Sequence, residues 1–191
     1  MYFTIPTLLT WARIAAIPLI VGVYFLPGMA QHTQDLWAAG LFIVFALTDW
    51  ADGYLARKLN QSSAFGAFLD PVADKFLVSA SLLVLLHLGR VHVFVALIII
   101  GREIAISALR EWMATVGARS SVAVHMLGKL KTATQMLALP LLLYHQPIGP
   151  FDAQLWGRLL IVVASVLTLW SMFYYLRSAW ADLKDRGDPQ P

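Results

Sequence analysis

The chain reads as an all-α polytopic membrane protein with six transmembrane helices, and three observations predict this. Hydrophobic residues make up 59% of the 191 residues and charged residues only 13%, against roughly a quarter charged in soluble domains. With a mean hydropathy of +0.70, too little polar surface remains to face water. Six mostly apolar runs follow one another with brief polar connections, each near the length that spans a bilayer. Lysine and arginine fall almost entirely on alternate connections, the asymmetry that orients helices in a membrane.

Taken in order, the runs lie near Thr7–Leu26, Leu36–Ala56, Pro71–Leu88, His92–Leu109, Lys131–His145 and Leu155–Leu176. The first carries Arg13, lacks a basic start and ends in Pro27-Gly28 without a small-x-small cleavage pattern, so a retained membrane helix is expected rather than a cleaved signal. The second runs into a group of acids, and the fifth is short. Aromatic residues at Tyr2, Phe3, Trp37, Trp156, Tyr174 and Tyr175 fall where interfacial belts would lie. Residues 1–176 are expected to form one six-helix membrane domain, and 177–191 a polar tail ending in disorder. With the N-terminus inside, Arg57, Lys58, Lys75, Arg110, Arg119, Lys129, Lys131, Arg177, Lys184 and Arg186 share one side, and only Arg90 and Arg158 take the other. The rich side is therefore cytoplasmic and holds both termini. There are no cysteines, which excludes disulfides and thiol chemistry.

The stretch from Asp49 to Asp74 concentrates the chemistry. Asp49 and Asp52 are three apart, and Asp70 and Asp74 four apart, so each pair shares one helical face. Two such pairs facing across a short loop can hold divalent cations through oxygen ligands alone. An Asp70 cap before Pro71 would explain Asp70 as a helix start. It does not explain Asp74 one turn further, nor two acids at a helix C-terminus, where they oppose the macrodipole. Acids at membrane depth are costly and mark function.

The register Asp49-x2-Asp52-Gly53-x2-Ala56-Arg57, eight residues, then Gly66-x3-Asp70-x3-Asp74 resembles the signature of the CDP-alcohol phosphatidyltransferase family. IPTLLTWARI, GREIAISALREWMATVGARSSVAV, GKLKTATQM and LTLWSM extend the likeness along almost the whole chain, and look like bacterial members that use sn-glycerol 3-phosphate. The resemblance implies a six-helix membrane catalytic domain in the bacterial inner membrane, with its active site at the cytoplasmic face. It implies phosphatidyl transfer from CDP-diacylglycerol with release of CMP. It makes Asp49, Asp52 and Asp70 direct ligands of Mg2+ or Mn2+, two ions being expected. Asp74 completes that site and is the expected general base. Gly53, Ala56 and Gly66 would allow close approach of the CDP-lipid, and Arg57 would offer it a fork of donors. The partners implied are CDP-diacylglycerol, sn-glycerol 3-phosphate, membrane lipid and a second copy of the chain, with no nucleic acid.

A phosphorylated acceptor needs its own cations, and Arg110, Arg119, Lys129 and Lys131 lie on the required side; anchoring at the membrane surface is the competing explanation for each. Arg13 and Arg102 lie within spans, where an unpaired cation is costly. Arg13 is expected to face the polar cavity and serve the CDP-lipid, and Arg102 to pair with Glu103 or an aspartate. Ser120 and Ser121 read as loop residues. His32, His87, His92 and His145 fall away from the acids, and His125 lacks the His-x-Lys spacing of phosphohistidine chemistry, which favours direct in-line attack. Another acceptor (serine, inositol phosphate, choline or phosphatidylglycerol) would keep the same acids. A cation transporter would instead call for acids at mid-membrane and paired repeats, and a prenyl-diphosphate enzyme for a DDxxD pattern; the sequence has neither.

Overall fold

The computed structural model describes residues 5–59, 64–115 and 126–187. Each apolar run becomes a helix: α1 (Ile5–Val23), α2 (Gln31–Leu59), α3 (Ala64–His87), α4 (Val93–Thr115), α5 (Met126–Tyr144) and α6 (Ala153–Gly187). Between α5 and α6 the chain makes a small antiparallel hairpin, β1 (Pro147–Ile148) with β2 (Phe151–Asp152). Gly149 sits in it at φ 61°, a conformation that costs glycine nothing.

The helix ends depart from the sequence expectation in informative places. Helix α3 begins at Ala64, so Asp70 and Pro71 are inside it and not at its start. Proline leaves one carbonyl in the preceding turn without its donor, a loss that neighbouring helices absorb in a packed bundle. Helix α5 starts five residues before Lys131 and is a full 19 residues long. Helix α6 continues from Arg177 to Gly187, so the polar tail is helical that far. At the end of α3 the Arg90 amide donates to Leu85 and the Gly89 amide to Leu86, with Gly89 at φ 67°. This is a Schellman cap, and it stops the helix just where Arg90 can turn inward.

The packing follows buried stripes at helical spacing. On α5 the stripe runs Lys131, Thr134, Gln135, Ala138, Leu139, Leu142: polar at the first turns, apolar beyond. Thr10 and Arg13 precede Ala16 and Ile20 in the same way on α1, both fully buried. On α1 and α5 the buried stripe is therefore polar at the end next to the acids and apolar beyond it. The broadest helix contact is α5 on α6, with α1 held against α2 and α3. Gly157 of α6 permits a close approach to α5, because a Cβ there would lie 2.8 Å from Leu142 Cγ and 3.2 Å from its backbone nitrogen. Gly157→Ala is expected to lower stability by about 1–3 kcal/mol through overpacking, read as a lower Tm in detergent with little change in KM.

The outward faces are apolar. Leu97, Ile104, Leu137, Trp170 and Phe173 are each more than 60% exposed, the reverse of a soluble helical bundle. Among the described residues, α6 is the helix long and apolar enough to cross a membrane, over Ala153–Arg177 with mean hydropathy 2.0. The apolar part of α1, Leu9–Val23, is shorter. Helices α3, α4 and α5 carry charged residues within their lengths, and Asp74, Glu103 and Lys131 among these line the internal cavities.

Candidate active site

Asp70 and Asp74 stand one turn apart on α3, and α1 packs against that face. Thr10 and Arg13, three apart on α1, share a face and meet the two acids in register. The Thr10 hydroxyl donates to Asp70 Oδ1, and Arg13 Nη1 donates to Asp74 Oδ1 at 2.9 Å. Arg13 is completely buried, while the Asp74 side chain is 37% exposed and opens onto a cavity of about 180 Å³. The sequence leads one to expect Arg13 to face the cavity and serve the CDP-lipid; it is instead buried behind Asp74, to which its charge is delivered, and does not line that cavity.

Asp49, Asp52, Gly53, Ala56 and Arg57 fall on the last turns of α2, but their side chains lie outside the described residues. Gly66 is buried near the start of α3. Among the described residues no group of three His, Cys, Asp or Glu forms a metal cluster. Asp70 and Asp74 supply carboxylate oxygens alone, the donor type that suits a hard cation such as Mg2+ or Mn2+, so the described part of the acid set fits the metal that the resemblance implies.

On the far wall of the same cavity, Glu103 of α4 accepts from Lys131 Nζ and from Arg102 Nη1 at 3.2 Å. Of the partners expected for Arg102, Glu103 or an aspartate, the structure has Glu103. A second cavity of about 480 Å³ adjoins the first, sharing Glu103, Lys131 and Thr132 with it. Its other walls are Arg102, Arg110, Gly128, Ala133 and Tyr175. The Tyr175 ring, 2% exposed, holds both guanidinium groups, Arg102 at 5.8 Å and Arg110 at 5.9 Å from its centroid, within cation–π range. Arg102 also donates to Ser171 at 3.3 Å, yet its buried Nε has no hydrogen-bond partner among the described residues. A buried cationic donor left open in a basic cavity is costly unless an anion completes it.

The structure thus joins two sets that the sequence lists separately, the α3 acids with Arg13 and the cations Lys131 and Arg110. Lys129 is on α5 with its side chain outside the described residues, and Arg119 lies outside them altogether. Thr10, Tyr175 and Ser171 are additions. Thr10 carries a signal in retrospect, since it precedes Arg13 by one turn, but Tyr175 reads in sequence as one more interfacial aromatic.

Comparison with known proteins shows the family. The profile of the CDP-alcohol phosphatidyltransferase family matches residues 3–170. The chain belongs to the CDP-alcohol phosphatidyltransferase family. It is 54% identical over 189 residues to the CDP-diacylglycerol–glycerol-3-phosphate 3-phosphatidyltransferase of Escherichia coli strain K12, covering 97% of this chain and 100% of that one. The enzyme of the same name from Shigella sonnei strain Ss046 is likewise 54% identical, and that from Shigella flexneri serotype 5b 53%, over the same shares of both chains. The match spans both cavities, since every residue that lines them except Tyr175 lies within the family profile.

Proposed function

We infer that this chain transfers the phosphatidyl group of CDP-diacylglycerol to sn-glycerol 3-phosphate, giving phosphatidylglycerophosphate and CMP. The observation that carries the reading is the junction of the two cavities: a part-exposed carboxylate, Asp74, in one, and a cluster of cations for a phosphorylated alcohol in the other. The E. coli and Shigella relatives are named for this reaction. Asp49, Asp52, Asp70 and Asp74 would hold two Mg2+ or Mn2+ ions. Bound there, such ions would supply positive charge to offset that of the pyrophosphate and of the departing CMP.

The chain's own residues do the rest. Lys131, Arg110 and the open Nε of Arg102 take the acceptor phosphate, with Arg119 and Lys129 as further cations. That anchor orients the free primary hydroxyl toward the lipid-side phosphorus, and orientation converts an encounter into an in-line attack. Asp74 takes the hydroxyl proton as the new P–O bond forms and the bond to CMP breaks. Arg13 holds Asp74 in position from below. Thr10 does the same for Asp70 through its hydroxyl. Gly53, Ala56, Arg57 and Gly66 serve the CDP-lipid.

The setting is a six-span bundle in the bacterial inner membrane, with both termini and the cavities at the cytoplasmic face. The exposed apolar faces and the one-sided basic residues support that topology. A homodimer is the assembly that the family resemblance favours.

The direct test is CMP release by the purified protein in detergent with CDP-diacylglycerol and Mg2+, offering each alcohol in turn. Release with sn-glycerol 3-phosphate is expected. Release only with serine, inositol phosphate or phosphatidylglycerol would leave the family membership intact and replace the acceptor. In the same assay Lys131→Ala is expected to raise the apparent KM for sn-glycerol 3-phosphate by about 10- to 100-fold, the loss of one charge-assisted phosphate contact. An unchanged KM would return Lys131 to membrane anchoring.

A further inference from the structure

Gln135 of α5 carries a buried side-chain carbonyl that no donor among the described residues reaches. It is 4% exposed, it lines the cavity onto which Asp74 opens, and its Oε1 has no hydrogen-bond partner among the described residues. A buried amide oxygen without a donor is unfavourable. It therefore points to a ligand group that supplies one. Besides Lys75, whose cation is a donor on the same wall, the polar groups of the cavity wall already have partners. The Thr132 hydroxyl donates to the Gly128 carbonyl at 3.0 Å, Glu103 is taken by Lys131 and Arg102, and Asp74 by Arg13.

Position on the helix says which group it is. Gln135 follows Lys131 by four residues, so it shares the face of Lys131 and lies about 6 Å deeper along α5. An acceptor whose phosphate sits on Lys131 and Arg102, and whose carbon chain runs down this face, brings a hydroxyl on its middle carbon to Gln135. Its terminal hydroxyl then lies across the cavity, on the α3 side with Asp74. We propose that Gln135 is a specificity-determining residue whose side-chain carbonyl accepts a hydrogen bond from the acceptor's secondary hydroxyl, the one that is not transferred. The inference rests on the transferase reading above and deepens it, because it separates a three-carbon polyol phosphate from a simple hydroxyalkyl phosphate.

The test compares sn-glycerol 3-phosphate with 3-hydroxypropyl phosphate, the same acceptor without its middle hydroxyl, using the full-length protein in mixed micelles with CDP-diacylglycerol and Mg2+. The wild-type protein is expected to favour sn-glycerol 3-phosphate by roughly 10- to 100-fold in kcat/KM, the usual discrimination of a hydrogen bond that leaves a buried partner unpaired when absent. Gln135→Leu is expected to bring the two acceptors within about threefold, through loss on sn-glycerol 3-phosphate alone, because the apolar side chain leaves no orphan. A merely structural role would lower both acceptors together. Gln135→Met, closer in shape, serves the same comparison if the leucine variant does not fold. Equal use of the two acceptors by the wild-type protein, or discrimination that persists in the variants, overturns the role of Gln135 and leaves the transferase reading standing. CMP release with neither acceptor would overturn both.

Discussion

Asp74→Asn is expected to lower CMP release by about 10²- to 10⁴-fold, the range over which a positioned general base contributes, while the protein inserts and folds as before. The reason for pairing those two outcomes is geometric. Asparagine keeps an oxygen at Oδ1, where Arg13 donates at 2.9 Å, so the α1–α3 contact survives. It loses the charge and the basicity that proton removal requires. Activity assays at saturating acceptor and a Tm in detergent check both halves. Retained turnover would remove Asp74 from the base role, and a collapsed Tm would make the substitution uninformative about chemistry, in which case Asp74→Glu takes its place. Because Arg13 is wholly buried, replacing it by methionine would separate the two roles from the other side. It would leave the carboxylate intact and remove the group that aims it.

Asp35→Ala should cost about 3–5 kcal/mol of stability, since it leaves a buried charge uncompensated. Asp35, in the first turns of α2, takes two bonds from Arg90 Nη2, both at 2.8 Å. Arg90 Nη1 continues to the carbonyls of Leu143 at 2.8 Å and Leu142 at 3.2 Å, which lie in the last turn of α5 and need donors from outside the helix. One guanidinium therefore ties α2, the α3–α4 turn and the end of α5. The ends it ties are opposite to those that carry the acids, so the KM values should hold at temperatures where the variant remains folded. Replacing both partners with apolar residues, Asp35→Leu with Arg90→Met, should recover much of the loss. Equal Tm values for Asp35→Ala and the wild type would show that the pair contributes nothing beyond its geometry.

Arg90 also shows where sequence reading stops. By position it is one of two cations on the sparse side of the membrane, and the topology rule asks no more of it. Its inward turn depends on the Schellman cap at Gly89 and on the nearness of α5, which are long-range facts. Arg102 is a similar case with a better outcome. Its place inside a span demands a partner, Glu103 is adjacent in the chain, and the pair forms as expected. Nothing local, however, tells that Lys131 joins the same carboxylate, or that the Tyr175 ring meets both Arg102 and Arg110. Pro71 misleads for the opposite reason. As a local signal it marks a helix start, and the packed bundle carries α3 straight through it.

The acids from Asp49 to Asp74, their helical spacing and the apolar solvent around them were enough to name a family and a class of chemistry. Periodicity and composition act locally, and they placed all six helices. Which polar residues meet was a matter of the tertiary structure alone, because contacts such as Arg13 with Asp74 and Glu103 with Lys131 join residues 61 and 28 positions apart. Only helix packing sets those distances. The same packing left Gln135 Oε1 and Arg102 Nε buried and without a hydrogen-bond partner among the described residues, and the proposed acceptor contacts are argued from these two atoms.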